Sequence, residues 1–243
     1  KTIKEYLERK KKYILINYSD KLFRQSQRNN TLTGINKGGF DTALSYNRDD
    51  LDEDFVNKNK DIFSIDNGAG LWLWKPYIIL KTLNKMEEND ILFYSDSGSE
   101  FIGSMKPIFD IFDELSQDIL PFHIEHLERK WTKRDTFIMM GCDSEKYSET
   151  RQRCGGFQLV KNTPFSRKFY EQLLEYSQSS MIKNEQNTLG KPNYVEFMEH
   201  RHDQSIWSLL TKKYGMKSIR DLSIEPIEKN DFPRIINLTR NRN

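Results

Sequence analysis

Ile91-Leu-Phe-Tyr-Ser-Asp-Ser-Gly98 is an apolar run that stops abruptly in an acidic turn carrying a glycine. Asn89 and Asp90 bound it on the other side, so the run is too short for a helix and predicts a buried strand. In open α/β sheets, ligands bind beyond the carboxyl ends of strands, which is where Asp96 falls. A carboxylate there can hold a divalent cation, and the cation can neutralise a diphosphate. Ser-Asp-Ser-Gly is also ordinary turn chemistry, so this segment alone leaves both readings open.

Upstream, Gly68-Ala-Gly70 opens a loop, and Pro76 favours a helix start because its missing N–H would be unpaired there anyway. Ile78, Ile79, Leu83 and Met86 recur at helical spacing and predict a helix over 77–88. Before it, Tyr13-Ile-Leu-Ile-Asn17 reads as a first buried strand. Strand, helix and strand in succession predict an α/β fold with a mainly parallel sheet. Between them, 40–46 reads as a second strand, 51–59 as a short acidic helix and 61–65 as a further short strand. Residues 1–12 read as a charged, helical lead-in.

Downstream, helices are predicted over 105–117, 163–179 and 203–214, and strands over 120–124 and 155–160. The segment 131–140 begins as a loop and becomes a short helix. The tail from Met216 holds a short strand and ends in the basic Arg240-Asn-Arg-Asn243. No repeat or low-complexity linker interrupts the 243 residues, so a single domain is expected.

Thirty-eight basic against 36 acidic residues, interspersed, leave a net charge of +2 and no case for nucleic acid. Cys142 and Cys154 make no disulfide framework, and no Cys/His spacing resembles a zinc site. A reducing, cytoplasmic location is the expectation. No apolar run approaches the ~20 residues of a membrane span. Because the chain begins at Lys1 rather than Met, an anchor upstream would instead place it at a membrane or in a lumen.

Three further clusters carry chemistry. A helix start attracts phosphate, and Lys75 beside Trp74 would add a full charge. The competing reading packs Trp72 and Trp74 in the core while Lys75 snorkels to solvent. In His200-Arg-His-Asp-Gln-Ser205, His202 is a candidate metal ligand and Asp203 a carboxylate for the reacting carbon. Asp203 also has a complete structural explanation as a helix N-cap. Gly155-Gly156 permits close approach of substrate to backbone or serves only a bend, and Trp131-Thr-Lys-Arg-Asp135 offers an aromatic platform with two cations or merely a charged loop.

Taken together, these segments resemble nucleotide-sugar-dependent glycosyltransferases of the GT-A fold. The resemblance is to a bacterial and large-virus group with Gly-x-Gly-x-Trp-x-Trp-Lys-Pro-Tyr (here 68–77), Tyr-x-Asp-x-Gly (94–98), Trp-Thr-Lys-Arg-Asp (131–135) and His-Arg-His-Asp-Gln-Ser (200–205). It runs in order from about 13 to 215. The resemblance implies a Rossmann-like sheet flanked by helices, a nucleotide-binding part over about 13–100, an acceptor-side part over about 101–215 and a tail over 216–243. It places the donor near Asn17, Tyr18, Ser19, Trp74, Lys75, Asp96, Ser97 and Gly98, and the acceptor or sugar near Trp131, Lys133, Arg134, Gly155 and Gly156. Asp203 and Gln204 resemble the Asp-Gln pair that lies close to the reacting sugar in glycogenin-like transferases.

The implied cofactor is a divalent cation, manganese first and magnesium next, on Asp96 and a late histidine, His202 or His200. The chain departs from Asp-x-Asp here, because Gly98 stands where the second acid belongs. The implied activity is transfer of a sugar from a nucleoside diphosphate, UDP for preference, to a hydroxyl acceptor such as a glycan. Two rivals remain at this point. A sugar-nucleotide-forming nucleotidyltransferase would carry a glycine-rich basic loop after the first strand, unlike Tyr18-Ser-Asp-Lys-Leu-Phe-Arg24. A non-catalytic glycan-binding or scaffold domain would keep the fold without the second acid.

Overall fold

The computed structural model describes residues 10–184, 186–229 and 231–239. Its centre is a six-stranded sheet built from β1 (Tyr13–Tyr18), β2 (Thr42–Tyr46), β3 (Ile91–Ser95), β5 (Ile119–Leu127), β6 (Arg151–Lys161) and β7 (Ile219–Arg220). The spatial order is β2-β1-β3-β6-β5-β7, and β6 alone runs against the others. A separate antiparallel pair joins β4 (Ser99–Phe101) to β8 (Ile236–Leu238). The longer helices are α1 (Arg24–Thr33), α2 (Trp74–Leu83), α3 (Lys106–Glu114), α4 (Pro164–Ser177) and α5 (His202–Lys213).

β3 is buried along its whole length because it is central and covered on both faces, which is why it reads as a continuous apolar run. Its side chains alternate between two cores. Leu92 and Tyr94 join Ile14 and Ile16 of β1 beneath α2, α4 and α5, with Ile78, Phe169, Tyr170 and Trp207. Ile91 and Phe93 join Leu15 on the opposite face with Phe101, Phe109, Phe112, Phe122 and Phe157. This is a mixed α/β domain with a mainly parallel sheet between helical layers, as the sequence predicts.

Three readings need correction. The segment 61–65 is not a strand: Lys60–Phe63 is a helical turn, with Asn59 O accepting from the amides of Ile62 and Phe63 (both 3.0 Å). The helix around Pro76 begins earlier, at Trp74, and ends at Leu83 rather than at 88. Asp203 is not an N-cap; α5 begins at His202, its N-cap Arg201 makes no side-chain cap bond, and Asp203 lies in the first turn. The readings of 1–9 as helix and of Arg240-Asn-Arg-Asn243 as a basic end lie outside the described residues, while 10–12 are not helical. Among the described residues, no helix is long and apolar enough to cross a membrane.

Candidate active site

The carboxyl ends of β1 and β3 open beside the first half of β6, because Ser95 pairs with Phe157 in an antiparallel register. The chain leaves β3 through Asp96, whose amide donates to Gly156 O at 2.9 Å. Gly156 lies so close that a Cβ there would stand 2.8 Å from Asp96 Oδ2. A methyl on Gly155 would likewise meet Gln204 Cβ at 3.0 Å. The paired glycines therefore serve close approach: they let the Asp96 carboxylate and the start of α5 lie directly on β6.

Lys75 reaches this spot through an unusual lead-in. Gly68 to Trp72 all have positive φ, from 50° to 96°, making a left-handed turn just before α2. Such a turn costs roughly 1–2 kcal/mol for each residue with a Cβ, here Ala69, Leu71 and Trp72. Gly68 and Gly70 are required, because a Cβ at either would press within 2.6 Å of Trp72 or Phe63. The turn is fastened by Trp74 Nε1 donating to Gly68 O at 2.9 Å, and Trp74 stacks on Tyr18 with ring centroids 3.8 Å apart. Strain held this firmly in place is characteristic of functional sites.

At the end of that turn Lys75 does not snorkel outward. It is 3% exposed, and its ammonium lies 2.8 Å from Asp203 Oδ2, 3.1 Å from Gly155 O and 3.5 Å from Asp96 Oδ1. The acidic strand tip, the lysine and the Asp203-Gln204 pair of the late cluster thus meet at one place, whereas His200, Arg201 and His202 make their contacts elsewhere. Tyr94 OH donates to Asp96 Oδ1 at 2.6 Å, and the Asp96 side chain stays 45% exposed. Gln204 accepts from Gly155 N–H at 3.0 Å and donates to Gln152 Oε1 at 2.7 Å. Gln158 donates to Gly155 O and accepts from Tyr170 OH, so the strand carrying the glycines is held from both sides.

The charges follow from burial and from one another. Burial pushes the Asp203 carboxyl up, Lys75 opposes this, and Asp96 adds to the rise. Burial pulls the Lys75 ammonium down, but Asp203 and Asp96 outweigh it and hold the group above its ordinary value. Burial, then Asp96, drives the Tyr94 hydroxyl well up, so it stays a donor.

Other expected residues have different surroundings. Asn17 is fully buried and donates to Asn30 Oδ1 and Thr31 Oγ1, and Ser19 donates to Gln27, fastening α1 to β1. Ser97 ties its hydroxyl to Tyr18 O, while Gly98 O accepts from Thr239 N–H at 2.8 Å. Trp131, Lys133 and Arg134 make their contacts with Arg201, Ser180, and Asn193 and Tyr194 respectively rather than joining Lys75. Lys133 donates to Ser180 O, Arg134 pairs with Asp143 and lies over Tyr194, and Arg201 lies over Trp131. Asp135, not singled out from sequence, accepts from the amides of Thr188 and Leu189.

Neither histidine has a free ring. His200 Nε2 faces Met181 O at 2.7 Å and Nδ1 accepts from Lys133 N–H. His202 Nδ1 faces Ile182 O at 2.7 Å, Nε2 lies 3.3 Å from Asn67 Nδ2, and its φ is 49°. The carbonyl partners fix one proton on each ring. Among the described residues, no three His, Cys, Asp or Glu side chains gather as a metal site would require.

His200 also makes stability depend on pH. Burial, then His202, lowers its pKa from 6.5 to about 3. The unfolded chain takes up this proton near 6.5 and the folded one does not. The contribution is therefore complete above 6.5 and falls by about 1.4 kcal/mol per pH unit as the pH drops toward 3. Urea midpoints measured from pH 7.5 to 4 should fall less steeply in His200→Gln than in the wild type; parallel curves would refute this.

The fold has solved counterparts. Mouse xyloside xylosyltransferase 1 in its apo form is similar over 95% of this chain and 97% of that one, with a TM-score of 0.52 and 9% identity. The galactosyltransferase LgtC, solved with donor and acceptor sugar analogues, gives 0.49 and 11% over 94% and 87%. The glycosyltransferase GlyE of Streptococcus pneumoniae gives 0.44 and 12% over 87% of this chain and 46% of that one, so the chain spans about half of GlyE. No family model matches the sequence, and no curated protein matches it. The architecture is the GT-A-like fold of glycosyltransferases.

Proposed function

We propose that the protein is a glycosyltransferase that moves a sugar from a nucleoside diphosphate, UDP for preference, to a hydroxyl acceptor such as a glycan. The observation that carries the reading is the Lys75 ammonium set between Asp96 and Asp203 at the strand ends. The donor lies over Asp96, Ser97 and Trp74, with its sugar toward Asp203 and Gln204. Departure of the diphosphate builds negative charge on the leaving oxygen. Lys75 is the full positive charge nearest that point, and its 3.5 Å contact to Asp96 is the loosest of its three, so it is the one exchanged for a phosphate oxygen. Asp203 either accepts the acceptor hydroxyl's proton or positions the anomeric carbon, and Gln204 fixes the helix start against Gly155.

The side chains present fit a resident manganese or magnesium ion poorly. Asp96 supplies one carboxylate, already engaged by Tyr94 and Lys75, Gly98 supplies none, and His202 is tied to Ile182 and Asn67. We therefore assign the charge-stabilising role to Lys75 and route no step through a metal. Released diphosphate, measured across a panel of nucleotide sugars with and without EDTA, tests both parts. Turnover that survives EDTA and falls at least about 100-fold in Asp96→Asn is expected. A strict manganese requirement overturns the assignment to Lys75, and no diphosphate from any donor overturns the transferase reading.

A further inference from the structure

A second, separate cavity of about 550 Å³ lies between β5, β6 and the far end of α5, lined by His123, Lys146, Arg151, Arg153, Lys212 and Met216 among others. α5 carries Asp203 in its first turn, at the site described above, and ends beside this cavity, which places the two about a helix length apart, on the order of 15 Å. The lining is strongly basic. Lys212 is matched by buried Glu128 and Arg151 by Glu125 at 3.0 Å, whereas Lys146 is exposed and lies over the Tyr147 ring. Arg153 is the anomaly. It is more than nine-tenths buried, one guanidinium nitrogen donates only to Met216 O, and Nη1 has no hydrogen-bond partner.

A buried cation is ordinarily paired, because leaving it alone in a low dielectric is costly. Among the described residues, no carboxylate forms an ion pair with Arg153. Burial lowers its pKa to about 10, with only Glu128 opposing. His123 is likewise held below its ordinary value, by burial and then by Arg151, with Arg153 contributing. The cavity is therefore lined by cations, and Arg153 among them has one guanidinium arm on Met216 O and a second, buried arm without a partner, a planar donor of the kind that suits a tetrahedral oxyanion. Its volume is that of a small-molecule site rather than a single ion.

We propose that this cavity binds a small molecule bearing a phosphate group, with Arg153 as its principal anchor and Lys146 at its rim. The shared chemistry is the phosphate; free phosphate and a phosphorylated sugar are its two sources. Calorimetric titration at constant ionic strength with inorganic phosphate and, separately, with glucose 6-phosphate tests the proposal. Saturable binding is expected, weakened at least about tenfold in Arg153→Met and severalfold in Lys146→Glu. Glucose 6-phosphate binding tighter than phosphate would place a sugar in the cavity, and equal affinities would identify the free ion; both support the site. Lys146 is exposed, so Lys146→Glu and Arg151→Ala keep the test decisive if Arg153→Met fails to fold. Wild-type protein that binds neither ligand, or rim variants that bind with unchanged affinity, would overturn the proposal.

Discussion

Lys75→Met is expected to remove transfer, by at least about 10³-fold, and to destabilise the fold by roughly 3–5 kcal/mol. Both losses come from one geometry. The ammonium is the partner of a carboxylate that is 7% exposed, so deleting it leaves Asp203 charged, buried and facing Asp96. The methionine fills the volume but returns none of the attraction. The Asp203 pKa is already raised with Lys75 in place, and removing the lysine raises it further. A raised carboxyl pKa favours the protonated native state, so the stability deficit of the variant should shrink as the pH falls and grow as it rises. Lys75→Met combined with Asp203→Asn removes both charges and should recover most of the stability with none of the activity. Chemical unfolding at pH 5 and 8, set beside diphosphate release, reads all four quantities. A single variant that keeps activity within about tenfold of wild type would remove Lys75 from the chemistry.

The parts of this site that were legible in the sequence are those with a local signature. Residues 91–96 announce a buried strand and its acidic tip by composition alone, and the run Trp74-Lys75-Pro76 announces a helix start. That these meet Asp203 follows from topology: β1 and β3 are parallel, β6 returns between β3 and β5, and α5 packs on β6. What could not be read are polar contacts made across long separations. Lys133 and Arg134 look like the two cations of an aromatic platform until Ser180 O and Asp143 are seen to occupy them. His200 looks like a ligand until its two nitrogens are found between Met181 O and the Lys133 amide. The segment 61–65 is short and mostly apolar, which suits a strand as well as a helical turn, yet Asn59 O takes the amides of Ile62 and Phe63 and closes a helical turn in which Ile62 alone of these side chains is buried. β4 and β8 have three residues each and no periodicity long enough to detect.

Glu128 is the residue that sequence inspection passes over and whose loss should cost the most stability after Lys75. It is fully buried at the start of a short helix following β5, and its two oxygens gather four side chains. Oε1 accepts from Thr132 Oγ1 at 2.7 Å and from Gln152 Nε2 at 3.0 Å; Oε2 accepts from Ser208 Oγ and from the Lys212 ammonium. Glu128→Ala strands a buried lysine and empties a cavity, so a loss of roughly 3–5 kcal/mol is expected. Glu128→Gln keeps the volume but removes the charge and presents an N–H where two donors converge, so it too should be destabilised, by a smaller amount. The network also reaches the cleft: Glu128 holds Gln152, Gln152 accepts from Gln204, and Gln204 accepts from Gly155 N–H. Glu128 is thus a positioning residue for the first turn of α5. In Glu128→Gln at a temperature where the protein remains folded, kcat should fall severalfold while KM for the donor changes little, because Asp96 and Trp74 are untouched. Equal losses of stability in the variants with unaltered kcat would confine Glu128 to the scaffold, whereas wild-type stability in Glu128→Ala would contradict the buried network itself.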